Sequence, residues 1–212
     1  MFFFVFGERI HGASLDAGER ACPVCRRQTP FVHIIETNYF CIFGLRLLPI
    51  EKIANYYQCA ECGNSFDKDA QAPTHVPLVK QVLAYILAGY GMTEHTEVAQ
   101  EICLKISGFE LTHGELVEAI RVLDSGKEEL FDILGGHAPN INAHGAHQII
   151  QAAFLMTHVC CEIQYEDRLR INLMGNALGV SLEFVQATIE DVREKKYYGV
   201  HRLIPTRKGA VS

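Results

Sequence analysis

The hydrophobic pattern changes character once along the chain. "PFVHIIETNYFCIFGLRLLPIEKIANYYQC", ending at Cys59, is dense in Phe, Ile, Val and Tyr and carries no helical period. It reads as strands, broken in the middle at "GLRLLP". A polar stretch with Pro73 and Pro77 follows. From Leu78 onward the apolar residues recur at helical spacing. Leu78, Val82, Ile86 and Leu87 share one face, and Val98, Ile102 and Ile106 share another. Seven helices are expected, at roughly 78–91, 94–107, 113–123, 126–134, 145–161, 165–178 and 182–196. Thr112 with Glu115, and Ser125 with Glu128, have the spacing of capping boxes, and Ser181 suits an N-cap. The expected fold class is therefore mainly α: an all-α bundle preceded by a small β ribbon.

An internal echo runs through the helical part. "MTEHTEVAQEICLKISGFELTHGELVEAI" aligns with "IQYEDRLRINLMGNALGVSLEFVQATI", placing Gly108 on Gly179. A helix, a glycine, a cap and a second helix appear twice, as in a duplicated bundle.

Composition adds the class and the compartment. Of 212 residues, 49% are hydrophobic and 21% charged, which is a globular balance. The opening "MFFFVFGERIHG" lacks a basic leader and a long apolar run, so a signal peptide is not expected. "AHQIIQAAFLMTHVCCEI" contains His147, Gln148, Gln151 and His158, and reads as a buried helix rather than a membrane span. Eight cysteines without an export signal point to thiols in a reducing cytoplasm.

The net charge of −6 argues against a chain built to coat nucleic acid. The charge is unevenly spread: near neutral through residue 70, strongly acidic to residue 194, and purely basic in the last 18 residues. With the hydrophobic pattern this divides the chain into a ribbon (1–70), a linker (71–77), a helical bundle (78–196) and a basic tail (197–212).

Two Cys-x-x-Cys pairs, Cys22/Cys25 and Cys59/Cys62, carry the main chemistry. A redox pair normally occurs once, at a helix start. Here two pairs sit on turns between strands, which is how four thiolates are delivered to one tetrahedral ion. Structural Zn2+ is the expected cofactor, with iron at the same sulfurs or two disulfides as the alternatives. Such a site is closed and leaves no open position for a reaction. Gly63 after the second pair suits a left-handed residue that turns backbone amides toward sulfur.

The first third of the chain resembles a bacterial zinc-ribbon family, through "MFFFVFG", "CPVC", "TNYFCIFGLRLLPI" and "YYQCAECGNSF". The resemblance implies zinc at Cys22, Cys25, Cys59 and Cys62, and makes the opening apolar residues a ribbon strand or a clasp against it. The helical part resembles the tellurite-resistance TerB-like family. "EIQYEDRLRINLMGNALGVSLEFVQATIEDV" carries this most clearly and "MTEHTEVAQEICLKISGFELTHGELVEAI" more faintly. That resemblance implies an all-α, non-enzymatic domain of stress responses and protein assembly, sometimes with divalent metal at acidic positions. The family's Asp-Gly step is missing before both acidic helix starts.

Glu94, Glu97, Glu162, Glu166 and Asp167 are the carboxylates suited to a second divalent metal. His144 and His147, with His137 or His158, form a weaker histidine set. Arg26 and Arg27 beside the first knuckle, with Arg202, Arg207 and Lys208 of the tail, are the candidate nucleic-acid contacts. No Ser-His-Asp arrangement, phosphate-cradling glycine loop or His-Glu-x-x-His helix appears in the sequence. The expected function is thus a non-enzymatic zinc-binding interaction module in a bacterial stress-response or envelope-associated assembly. Protein partners are expected, with the tail also suited to peripheral membrane contact. A nucleic-acid-binding ribbon and a divalent-metal sensor are the alternatives.

Overall fold

A computed structural model describes residues 6–43, 45–124 and 129–203. The chain divides into two compact units. The first holds the residues up to Thr74 together with Pro139–Asn142, and the second holds His75–Ala138 and the chain from Ala143 onward.

The first unit is an antiparallel sheet of β1 (Phe6–Cys22), β2 (Arg27–Ile42), β3 (Leu45–Cys59) and β4 (Ser65–Phe66), in the order β1-β2-β3-β4. Its long strands overturn the expected fold class. Of the described residues about 50% are helical and 26% are in strands, a strand-then-helix layout rather than a mainly α bundle behind a small ribbon. Two physical facts hid the sheet. First, β1 is polar and carries Gly7, Gly12 and Gly18, so its own propensity for a strand is low. It is held by backbone pairing to the apolar β2, from Phe6 opposite Ile42 to Cys22 opposite Arg27. Where the pairing slips between Asp16 and Glu19, Gly18 takes φ +71° and donates its N–H to Asp16 Oδ1 at 2.8 Å. Second, the β2–β3 register shifts three times. Leu47, Ile50 and Ile53 each stand as an extra residue, at intervals of three. Bulges at that spacing curl the sheet and erase the two-residue alternation that marks a strand.

Pro139–Asn142 completes this unit. Asn140 Oδ1 accepts from Asn55 N–H at 3.2 Å, and Asn142 Nδ2 donates to the Gly63 carbonyl at 2.6 Å. The apolar core is small: Cys22, Phe31, Cys59 and Phe66, with Ala17, Cys25, Tyr57 and Cys62 against them.

The second unit contains α1 (Val76–Gly89), α2 (Thr96–Ser107), α3 (His113–Asp124), α4 (Leu130–His137), α5 (Ala143–Cys160), α6 (Tyr165–Ala177) and α7 (Leu182–Glu194). Helices α1 and α5 pack together at the centre; α3 lies on α1, α2 against both, α6 and α7 on α5, and α4 mainly on α6. Both central helices are apolar on nearly every side, as full burial requires. No described helix is long and apolar enough to cross a membrane.

The two halves of the sequence echo share backbone devices. Gly108 after α2 and Gly179 after α6 are left-handed, at φ +74° and +72°. Thr112 and Glu115 exchange hydrogen bonds at the start of α3, and the Ser181 hydroxyl accepts from Phe184 N–H at the start of α7. Gly175 on α6 lies against Val185 so closely that a Cβ there would collide with the valine side chain. Helix α4 begins at Leu130; the cap expected at Ser125 and Glu128 lies outside the described residues, as do Met1–Val5 of the expected clasp and the tail beyond Leu203.

Candidate metal centre

Strand pairing places the four sulfurs. Cys22 ends β1 and Cys59 ends β3, and both flank the central strand β2. Each Cys-x-x-Cys turn then swings its second cysteine back toward the first. The two turns are closed alike: Arg26 N–H donates to the Cys22 carbonyl at 2.8 Å, and Gly63 N–H to the Cys59 carbonyl at 3.0 Å. Both donors are left-handed, at φ +56° and +72°. Gly63 takes this conformation without strain, whereas Arg26 takes it at some cost.

The four Sγ atoms lie within 4.8 Å of one another. Cys22 Sγ is 3.8 Å from Cys62 Sγ, and Cys25 Sγ is 3.9 Å from Cys59 Sγ. A tetrahedron with metal–sulfur bonds of about 2.3 Å has edges of about 3.8 Å. All eight cysteines are free thiols. Four thiols this close, Cys22 and Cys59 fully buried, bring four soft donors to one point. Such a set can hold a metal ion. Among the described residues it is the one group of His, Cys, Asp and Glu with ligand atoms so close.

Supporting contacts surround the sulfurs. Cys25 N–H donates to Cys22 Sγ at 3.4 Å, and the fully buried Thr29 hydroxyl lies 3.2 Å from Cys59 Sγ. Burial alone would raise the Cys59 pKa, but the amides of Cys62 and Glu61 and the Thr29 hydroxyl outweigh it and bring the thiol down to about 7. Burial and the neighbouring thiols drive Cys25 strongly upward. Burial also raises Cys62, against the opposing pull of Asn64. Cys59 is thus primed to be a thiolate, while Cys25 and Cys62 are held toward the thiol form. Thr29 was not legible as a site residue, because nothing in its spacing links it to Cys59 before the strands pair, and Asn64 was passed over although it stands two residues after Cys62.

The other candidate residues are placed as follows. Arg27 is ion-paired with Glu61 at 2.6 Å, and Arg26 and Arg202 are exposed. Arg207 and Lys208 lie outside the described residues. Glu94 and Glu97 are exposed and flank His95, each carboxylate 3.7 Å from its ring. Glu162 and Glu166 are exposed; Asp167 is buried. Asp167 accepts from the Tyr90 hydroxyl, from Gln164 N–H at 2.9 Å and from the Cys161 thiol at 3.5 Å, so its oxygens are engaged in joining α6 to α1. His144 meets Gln148, His147 stands 3.5 Å from Asp191, and His158 stacks on Tyr197 at 4.0 Å.

A groove of about 620 Å³ in the helical unit is lined by Leu104 and Leu111 together with Glu97, Glu101 and Glu110.

No family model, curated protein or solved structure matches this chain.

Proposed function

We propose that Cys22, Cys25, Cys59 and Cys62 hold a structural zinc ion, and that the protein is a non-enzymatic interaction module braced by that ion. The sulfur spacing of 3.8 and 3.9 Å carries the metal half of this reading, because it matches the edge of a tetrathiolate tetrahedron. Zinc is the preferred ion on chemical grounds: it has no redox demand and suits a closed set of four thiolates. The sulfurs also form the centre of the unit's apolar core, where a bound ion acts as a staple rather than a reactive group. The setting we favour is a reducing bacterial cytoplasm, in a stress-response or envelope-associated assembly.

The interaction half is supported by the groove of the helical unit, whose two leucines and three glutamates suit a protein segment carrying apolar and basic side chains. Purified protein is expected to carry one zinc per chain by elemental analysis, and Cys59→Ser to carry little. Metal-free protein that keeps its sheet, or protein loaded with iron, would refute the zinc assignment. Affinity capture with the wild type and with Leu104→Glu tests the other half. Partners held by the wild type and lost from the variant are expected; identical sets would sink the groove as the docking surface.

A further inference from the structure

The two faces of the sheet differ in charge. Residues alternate between faces along β2, and cross-strand partners share a face. On one face Arg9 and Pro49 flank Tyr39, and His11 and Lys52 flank Thr37. Farther toward the cysteines, Leu15 and Tyr57 flank His33 on that same face. Side-chain contacts agree with this register. His11 meets the Tyr39 ring edge-on at 5.8 Å, the Arg46 guanidinium lies 5.9 Å over that ring, and His33 stacks on Tyr57 at 4.4 Å. The strand carboxylates stand on the second face. Glu8 pairs with Phe40, Asp16 with Val32, Glu19 with Pro30 and Glu51 with Asn38, and Glu36 pairs with Gly12. Asn38 Nδ2 donates to Glu8 across this second face at 2.7 Å. Among the described residues no strand carboxylate lies on the first face and no strand cation on the second. Met1–Val5 bring no acidic side chain. At the cysteine end Arg20 shares the first face, 4.0 Å over the Tyr57 ring, but Asp67 and Asp69 line the same pocket and offset it. What remains is a strip from His33 to Arg46 with three exposed cations, Arg9, Arg46 and Lys52, and no strand carboxylate among the described residues.

We propose that this strip binds single-stranded nucleic acid. Phosphates meet Arg9, Arg46 and Lys52, and bases stack on Tyr39, His11 and His33. These rings are half-exposed, and Ala13 and Thr37 keep the floor between them low. Tyr39 and His33 stand six residues apart on one strand, about 20 Å, which spans a few nucleotides. Cations with no carboxylate beside them select a polyanion. Rings interleaved with those cations offer a π-face to each base, and an acidic peptide has no planar group to match them. A duplex does not fit, because its bases already stack on one another. The net charge of −6 does not oppose this binding, since the strand carboxylates face the other way and most of the rest belong to the helical unit. The strip uses neither the four cysteines nor the groove between Leu104 and Leu111.

Fluorescence anisotropy of labelled oligo(dT) and oligo(U), titrated with the full-length chain across a salt series, tests this. Binding is expected at low salt, and the tighter strand identifies the preferred sugar. The logarithm of affinity should fall against the logarithm of salt with a slope of about −2, roughly 0.7 for each of three phosphate contacts. Arg9→Gln/Lys52→Gln should flatten that slope to about −0.7. Tyr39→Leu keeps an apolar strand residue, removes the ring and should weaken binding about tenfold. Glu36→Gln, on the second face, should weaken nothing. An abasic strand of the same length should bind about tenfold or more weakly than oligo(dT), which reads the stacking without any variant. Far-UV dichroism identifies a variant that fails to fold. No binding of either strand at low salt overturns the proposal. So does an abasic strand or a duplex bound as tightly as oligo(dT), which would leave only a cationic surface.

Discussion

The sheet unit and the helical unit solve the same problem with different means. The helical unit buries two helices on nearly all sides and fills its centre with Leu, Ile, Val and Phe154. The sheet unit has three long strands, but among the described residues its core is two phenylalanine rings and a cluster of thiols, with Ala17 and Tyr57 against them. A sheet that covers so little apolar area has little hydrophobic stabilisation to set against the entropy of ordering its chain. The difference teaches where each unit's stability is to be sought: in packing for one, and in four cysteines that could hold a metal ion for the other.

The largest effect should come from breaking that division at the cysteines. Chelation, or Cys22→Ala, is expected to unfold the sheet unit at a cost on the order of 10 kcal/mol of binding free energy, while the helical transition persists in calorimetry. A single transition that moves as a whole would show that the two units do not separate energetically.

A smaller effect is expected on the helical side. His75 precedes α1 and is fully buried, and among the described residues neither of its ring nitrogens has a hydrogen-bond partner. Burial depresses its pKa to about 4. The folded chain therefore stays neutral at His75 while the unfolded chain takes up a proton near pH 6.5. The stability of the helical unit is full above that value and falls as pH drops toward 4, by about 3 kcal/mol in total. Urea unfolding followed by helical dichroism across this range checks the slope, which His75→Leu should flatten.

The smallest effect concerns the contact that turns a cysteine turn into a site. Thr29→Val keeps the volume but removes the hydroxyl from Cys59, and is expected to weaken metal binding about tenfold without shifting the helical transition. A competition titration with a chromophoric chelator reads this directly; unchanged affinity would mean that the backbone amides alone hold that thiolate.

What could be read from the residues differed between the units for the same reason. The four cysteines, Gly63 and the caps at Thr112 and Ser181 were legible because each acts through its nearest neighbours in the chain. The long β1 was not, because its polar, glycine-bearing sequence becomes a strand only against β2. Nor was the role of Arg26, which holds the left-handed position that glycine holds in the second knuckle.

By itself the sequence determined the turns, the helix periods and the pairs of thiols, all of which depend on contacts a few residues apart. The tertiary structure alone decided that the strands are long, that β3 bulges every third residue, and that sulfurs from two turns 33 residues apart stand at tetrahedral spacing. Those features depend on which strand lies beside which, and backbone hydrogen bonds between strands are indifferent to the side chains that a sequence displays.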